Sequence, residues 1–323
     1  KAVEDLLYMF EGHQFVPEAV YTIARSYEES RKKNKVRDLY EKITTDYPDT
    51  VFDLEARGRL IILQIPSEDP DATWQELEKM VTAFANYESL PGVLYNIAGR
   101  YENSSSYDEA LAAYGLVTDY NQDPEETEAL RAPLAAERCR IRRHIDAGED
   151  QAALTMLGDI VEQYPQHEYL QAVICKIGEH YYKTAFSMQE YASEADVLDC
   201  FDKAVNIFQT AAGMDTDSEI AAASYYCAAD CFARLGQYET AVEYYSKTFE
   251  MCHSKQPQDS PGYAMAWDSL FKMGRLFERL GQTGFIAAAD ATQQTQNIYT
   301  KLVTEYPDSA ASKIARGWLS RQR

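Results

Sequence analysis

The chain has 323 residues, 46% of them apolar and 26% charged, with 15 Gly and 11 Pro; that composition excludes collagen-like, mucin-like and largely disordered classes. Fifty-two acidic residues against 31 basic ones leave a formal charge of −21, which repels a nucleic-acid backbone and argues against DNA or RNA as a main partner. The densest apolar run, Leu60 to Ile65, falls far short of the roughly 20 residues of a membrane-spanning helix. A soluble protein is expected, long enough for two domains or for one elongated array.

Helical spacing begins at once, with Val3, Leu7 and Phe10 recurring at intervals of four and three. Apolar or small residues then fall at Val20, Ile23, Ala24 and Tyr27. After a turn rich in Lys and Asn they fall at Val36, Tyr40 and Ile43, ending in Tyr47-Pro48. This pattern predicts two helices joined by a short polar turn. The unit returns along the chain. Its first helix carries a small residue three places before a large one, at Ala24 and Tyr27, Gly58 and Ile61, Ala98 and Tyr101, Gly178 and Tyr181, Ala229 and Phe232, Gly274 and Phe277, and Ala315 and Trp318. The unit around His144 departs, with Ile141 at the small position. A small residue there is what close helix approach requires, since a larger one overpacks. Second helices show Ala110, Tyr114 and Val117, then Ala153, Leu157 and Ile160, then Ala241 and Tyr245. Three of them end alike, in Asp46-Tyr47-Pro48, Gln163-Tyr164-Pro165 and Glu305-Tyr306-Pro307, where proline cannot continue a helix. The longest interval, from Tyr181 to Phe232, is assigned to an excursion around Ser187 to Ser193.

These landmarks resemble the tetratricopeptide repeat, a helix-turn-helix unit of about 34 residues, with the small residue at its position 8 and the large one at position 11. The resemblance covers essentially the whole chain. It implies an all-α fold, a right-handed superhelical α-solenoid of helical hairpins with about sixteen helices, as a single domain over 1–323. Its parts are a half repeat at 1–12, seven helix pairs over 17–307 and a terminal helix at 309–323. The Tyr-Pro ends are similar to those of bacterial envelope proteins of this family, such as the Tol-Pal coordinator and the outer-membrane assembly lipoproteins. That likeness implies a periplasmic, cell-surface or extracellular location, with a cytoplasmic one as the alternative. A targeting segment is expected upstream of Lys1.

No enzyme signature is present: the chain lacks GxGxxG, GxxxxGK[ST], HExxH and GxSxG. Asp215, Asp217 and Glu219 imitate the start of a calcium loop, but Ile220 and Tyr226 stand where Gly and Glu are needed. Capping of a helix near Ser218 is expected instead. The six cysteines show no CxxC, so they read as buried small apolar residues, and no metal or cofactor is expected.

In the resembled family, positions 5 and 9 of the first helix line a concave groove. Here they include Tyr21, Tyr95, Arg138, Tyr226 and Phe271 at position 5, and Arg25, Arg59, Arg142 and Arg275 at position 9. Aromatic residues with arginine favour interface hot spots and bidentate grip of carboxylates. The groove therefore suits a protein or peptide partner of acidic character. The competing reading is internal: Arg25 with Glu28 and Arg275 with Glu278, each at i, i+3, with tyrosines packed between neighbouring helices. Three functions follow: a non-catalytic interaction scaffold, a structural protein that assembles with itself, or a ligand-binding protein or enzyme with a pocket in the insertions. Self-assembly is suggested by the ends. Leu6, Leu7 and Phe10 belong to a second helix lacking its first, and Ile314, Trp318 and Leu319 to a first helix lacking its second, so copies could join head to tail.

Overall fold

Close approach of helices at the small residues organises the fold. A Cβ on Gly58 would lie 2.3 Å from Val93 Cγ1, one on Gly178 2.8 Å from Phe208 Cε1, and one on Gly274 2.2 Å from Tyr299 Cε1. Such distances leave no room for a methyl group, so glycine is what lets these helices touch. Ala24, Ala98, Ala229 and Ala315 do the same with a methyl and are fully buried.

The computed structural model describes residues 13, 15–29, 33–121, 127–253 and 260–322, and these residues hold fifteen helices and no strand. Helix α1 (Val16–Glu29) pairs with α2 (Lys33–Asp46), α3 (Val51–Gln64) with α4 (Pro70–Ala83), and α5 (Leu90–Asn103) with α6 (Tyr107–Asp119). Then come α7 (Thr127–Asp146) and α8 (Asp150–Gln163), α9 (Leu170–Met188) and α10 (Glu194–Met214), α11 (Glu219–Arg234) and α12 (Tyr238–Cys252), and α13 (Pro261–Gln282) and α14 (Ala288–Glu305). Helix α15 (Ala310–Arg321) closes the series. The expected half repeat at 1–12 lies outside the described residues. None of the described helices is long and apolar enough to cross a membrane.

The chain divides into two compact units, Lys1–His144 and Ile145–Arg323. In the first, α1 packs on α2 and α3, and α3 packs on α5. In the second, each helix from α9 to α15 packs on the next, while α9, α11, α13 and α15 also stack directly on one another. Contact between every second helix is how stacked hairpins bury a continuous core. Val20, Tyr40 and Ile43 fill the first unit's beginning, and Leu94, Ile97, Ala110 and Tyr114 its middle. In the second unit Ile174, Ile177, Phe201 and Phe208 are buried together with Leu270, Tyr299 and Leu302 nearer its end.

Helix ends follow local chemistry. Thr50, Asp69, Ser193, Ser218, Ser260 and Ser309 cap the helices after them, each side chain accepting from the backbone N–H three residues on. Ser218 thus explains the acidic run before it as a helix start. Helices α2, α8 and α14 stop one residue before Tyr-Pro. The amides of Tyr164 and Tyr306 still donate to the carbonyls of Ile160 and Leu302, after which proline ends the helix. The excursion expected around Ser187 to Ser193 contracts to residues 189–193. The extra length is stored instead in α9 and α10, which run 19 and 21 residues and pack against each other.

Candidate interaction site

Buried tyrosines of second helices meet acids near the ends of first helices. The hydroxyl of Tyr40 donates to Glu28 at 3.0 Å, that of Tyr114 to Glu102 at 2.8 Å and that of Tyr299 to Glu278 at 3.4 Å. In the first unit the arginines of the next hairpin join the same acids. Arg59 lies 4.0 Å from Glu28, and Arg142 donates to Glu102 at 2.9 Å. Arg138 donates to both Glu102 oxygens at 2.8 and 2.6 Å and to the Tyr114 hydroxyl at 3.1 Å. Glu102 itself is 1% exposed. Burial alone would raise its carboxyl, but hydrogen bonds and charge from Arg138 and Arg142 outweigh that and hold it below the usual carboxylate range. Burial, then the Glu102 charge, pushes the Tyr114 hydroxyl up, so it stays a donor.

The other sequence-derived residues of this unit also face inward partners. Tyr21 donates to Glu55 at 2.9 Å, Arg25 stands 3.9 Å from Glu28, and the Tyr95 ring meets Tyr114 edge-on at 5.5 Å. Tyr21, Arg25, Arg59, Tyr95, Arg138 and Arg142 are therefore brought to acid–tyrosine networks that tie one hairpin to the next.

The second unit differs. Tyr226 donates to Asp268, and Tyr245 donates to Asp230. Lys272 binds this group together: its ammonium donates to Asp230 at 2.8 and 2.9 Å and to the Tyr226 hydroxyl at 2.6 Å, and sits 4.3 Å from the centre of the Tyr226 ring. Attention to positions 5 and 9 alone misses Lys272 and Asp268. The available signal was Asp268, Lys272, Arg275 and Arg279 at helical spacing on one helix face.

Beside this group, α11, the start of α12, and α13 enclose a pocket of about 310 Å³ lined by Arg234, Lys272, Arg275 and Arg279 with Asp230. The Arg234 guanidinium lies 4.8 Å over the Phe186 ring and that of Arg279 4.9 Å over Tyr238. Arg275 has only the 3.8 Å approach of Glu278, with its own side chain 66% exposed. Among the described residues no carboxylate pairs with Arg234 or Arg279, and both are exposed. Stacking on a ring fixes a guanidinium plane and leaves its N–H edges to solvent. A second pocket, of about 250 Å³, lies between the N-terminal parts of α9, α11 and α13, with Cys175, Ala222, Ala223 and Met265 in its wall.

All six cysteines are free, five of them buried. Burial pushes the Cys139 thiol up to about 12 and that of Cys200 to about 11, which keeps them protonated and unreactive. Among the described residues no group of three or more His, Cys, Asp or Glu could hold a metal ion. At the chain end, Phe271 stacks 6.1 Å from Tyr299, and Trp318 meets Tyr299 edge-on at 5.4 Å. Leu319 packs on the same cluster, so among the described residues of the last helix's apolar set, Ile314, Trp318 and Leu319, only Ile314, 56% exposed, stands open. Leu6, Leu7 and Phe10 lie outside the described residues.

A family model described as tetratricopeptide repeat matches residues 18–50 and 268–309. Among solved structures, the C-terminal part of a TPR repeat-containing protein from Cytophaga hutchinsonii is similar at 12% identity, covering 91% of this chain and 98% of its own, with a TM-score of 0.42. A tetratricopeptide repeat protein from Parabacteroides merdae is similar at 12% identity over 94% of this chain and 97% of its own, with a TM-score of 0.37. No curated protein matches the chain.

Proposed function

We propose that the chain, two stretches of which match the tetratricopeptide-repeat model, is a non-catalytic scaffold whose second unit holds a protein partner by that partner's carboxylates. The observation that carries this reading is the cationic pocket. Arg234 and Arg279 are fixed by aromatic rings, carry no acid partner among the described residues, and stand in a chain of charge −21. Pre-oriented guanidiniums lose little freedom when a carboxylate arrives, and charge-assisted hydrogen bonds are among the stronger polar contacts. The arginines of the first unit serve a different end. Arg138 and Arg142 already clasp Glu102, so reversing them would break the hairpin junction rather than a partner contact.

The test is fluorescence anisotropy with a labelled Gly-Ser peptide bearing three consecutive glutamates. Arg275→Glu combined with Arg279→Glu should weaken binding at least about tenfold, the worth of roughly 1.4 kcal/mol, with helicity unchanged. Equal affinity of variant and wild type would refute the proposal. The three Tyr-Pro repeat ends support a location in a periplasm or at a cell surface, which fractionation of cells expressing the full-length gene tests.

A further inference from the structure

The pocket beside Lys272 holds more guanidinium than one carboxylate uses. Arg234 stands in the last turn of α11 and Arg279 in the last turn of α13. Each lies four residues beyond position 9 of its helix, Asp230 and Arg275, so neither belongs to the positions that line the groove in the resembled family. The backbone dipole favours a cation at a helix C-terminus, which accounts for an arginine at each end but not for both lining one pocket of about 310 Å³. Their planes are set separately, by Phe186 of α9 under Arg234 and by Tyr238 of α12 under Arg279. Lys272 adds no free charge there, because its ammonium already serves Asp230, Asp268 and the Tyr226 hydroxyl. The available charge is that of guanidiniums on two neighbouring helices, with Arg275 between them in sequence and only Glu278 at 3.8 Å beside it.

A carboxylate is flat. In its bidentate arrangement both oxygens face one guanidinium, and a second guanidinium on the next helix meets only their outer lone pairs. A phosphomonoester carries a charge of about −1.5 to −2 at neutral pH and three terminal oxygens set in a tetrahedron, so it presents oxygens to two forks at once. The chain's charge of −21 opposes such a dianion at a distance, but salt screens that repulsion beyond about 8 Å and leaves the decision to the nearby guanidiniums. We propose that this pocket is a phosphomonoester site, the dianion bridging Arg234 on α11 and Arg279 on α13. The inference rests on the carboxylate grip proposed above and adds regulation to it: a phosphorylated serine within the partner's acidic segment tightens the hold. A free small phosphate shares the chemistry, and the experiment separates the two sources.

That experiment uses the full chain and two labelled Gly-Ser peptides of matched charge, one bearing four consecutive glutamates and one bearing Glu-phosphoserine-Glu. Anisotropy at constant ionic strength should show the phosphopeptide binding at least about tenfold tighter, the worth of one further charge-assisted hydrogen bond. Arg234→Gln and Arg279→Gln, both at exposed side chains, should each weaken the phosphopeptide at least about tenfold and the glutamate peptide no more than about threefold, since a carboxylate keeps the other fork. Should Arg234→Gln lower the helical circular dichroism, Arg234→Lys, which keeps the charge and loses the fork, decides in its place. Unlabelled inorganic phosphate should displace the phosphopeptide. Displacement only at a concentration at least about tenfold above that of unlabelled phosphopeptide supports a partner's phosphoserine as the source; displacement at an equal concentration keeps the site and overturns that source. No displacement overturns the phosphomonoester site. Equal affinity for the two peptides also overturns it, and leaves the carboxylate grip standing if Arg275→Glu with Arg279→Glu still weakens both. Absence of binding by either peptide, or indifference of both to every substitution, overturns both proposals.

Discussion

Replacing Glu102 by Gln removes one charge from the most enclosed ion cluster of the first unit. The carboxylate accepts two bonds from Arg138, one from Arg142 and one from Tyr114, all between 2.6 and 2.9 Å. A glutamine amide keeps one acceptor oxygen and turns an NH2 group toward guanidinium or hydroxyl donors, so at least one arginine loses its partner. Breaking a buried pair from one side costs about 3–5 kcal/mol. Arg138 and Arg142 keep 16% and 14% of their side-chain surface exposed, which lets some donors find water and places the expected loss near the low end, about 3 kcal/mol. For a unit of this size that lowers the melting temperature by about 6–12 °C. Calorimetry measures the loss, and native-state hydrogen exchange locates it, with faster exchange expected in α5, α6 and α7. The control is Glu278→Gln. That carboxylate meets an exposed Arg275 at 3.8 Å and Tyr299 at 3.4 Å, so the change should cost under about 1 kcal/mol. If Glu102→Gln costs no more than its control, or if exchange rises evenly through both units, the clasp does not hold the hairpins together.

The same carboxyl sets a pH dependence. Its folded value lies below the ordinary one, so its contribution is complete above the unfolded value of about 4.3 and is lost as pH falls through the folded value. The stability gap between wild type and Glu102→Gln should stay constant from neutral pH to about 5 and shrink below about 4; denaturant titrations showing a gap unchanged at pH 3 would contradict it. Gly274→Ala, whose new Cβ would sit 2.2 Å from a Tyr299 ring that is 1% exposed, should destabilise by about 2 kcal/mol. Gly99→Ala, with its nearest atom 3.8 Å away, should be neutral or slightly stabilising, and chemical denaturation compares the pair. Ile314→Glu should leave stability within about 0.5 kcal/mol of wild type, whereas Trp318→Ala should cost about 2 kcal/mol by uncovering Tyr299. Light scattering on Ile314→Glu tests assembly through the chain end at the same time: loss of high-mass species would show that this exposed residue joins copies.

Helix identity, hairpin pairing and the need for small residues were all legible in the chain. Each depends on local rules: apolar spacing of three and four, a side-chain oxygen at a helix start, a Tyr-Pro stop. Gly58, Gly178 and Gly274 stand at the repeat position where the spacing calls for a small residue, and they make the close contacts expected there, whereas the helical Gly115, Gly158, Gly213 and Gly317 have nothing within 4 Å of where a Cβ would sit. Pairs within one helix turn were equally readable, and Arg25 with Glu28 and Arg275 with Glu278 stand where spacing put them, though at 3.9 and 3.8 Å. What the tertiary structure alone decided is which arginines are satisfied and which remain available. Arg138 and Arg142 reach Glu102 across 36 and 40 residues of chain, while Arg234 and Arg279 find rings instead of acids. Composition and period cannot separate these cases. Both kinds of arginine have the same helical surroundings in sequence, and the difference arises only where stacked hairpins bring a distant carboxylate, or an aromatic face, within reach of the guanidinium.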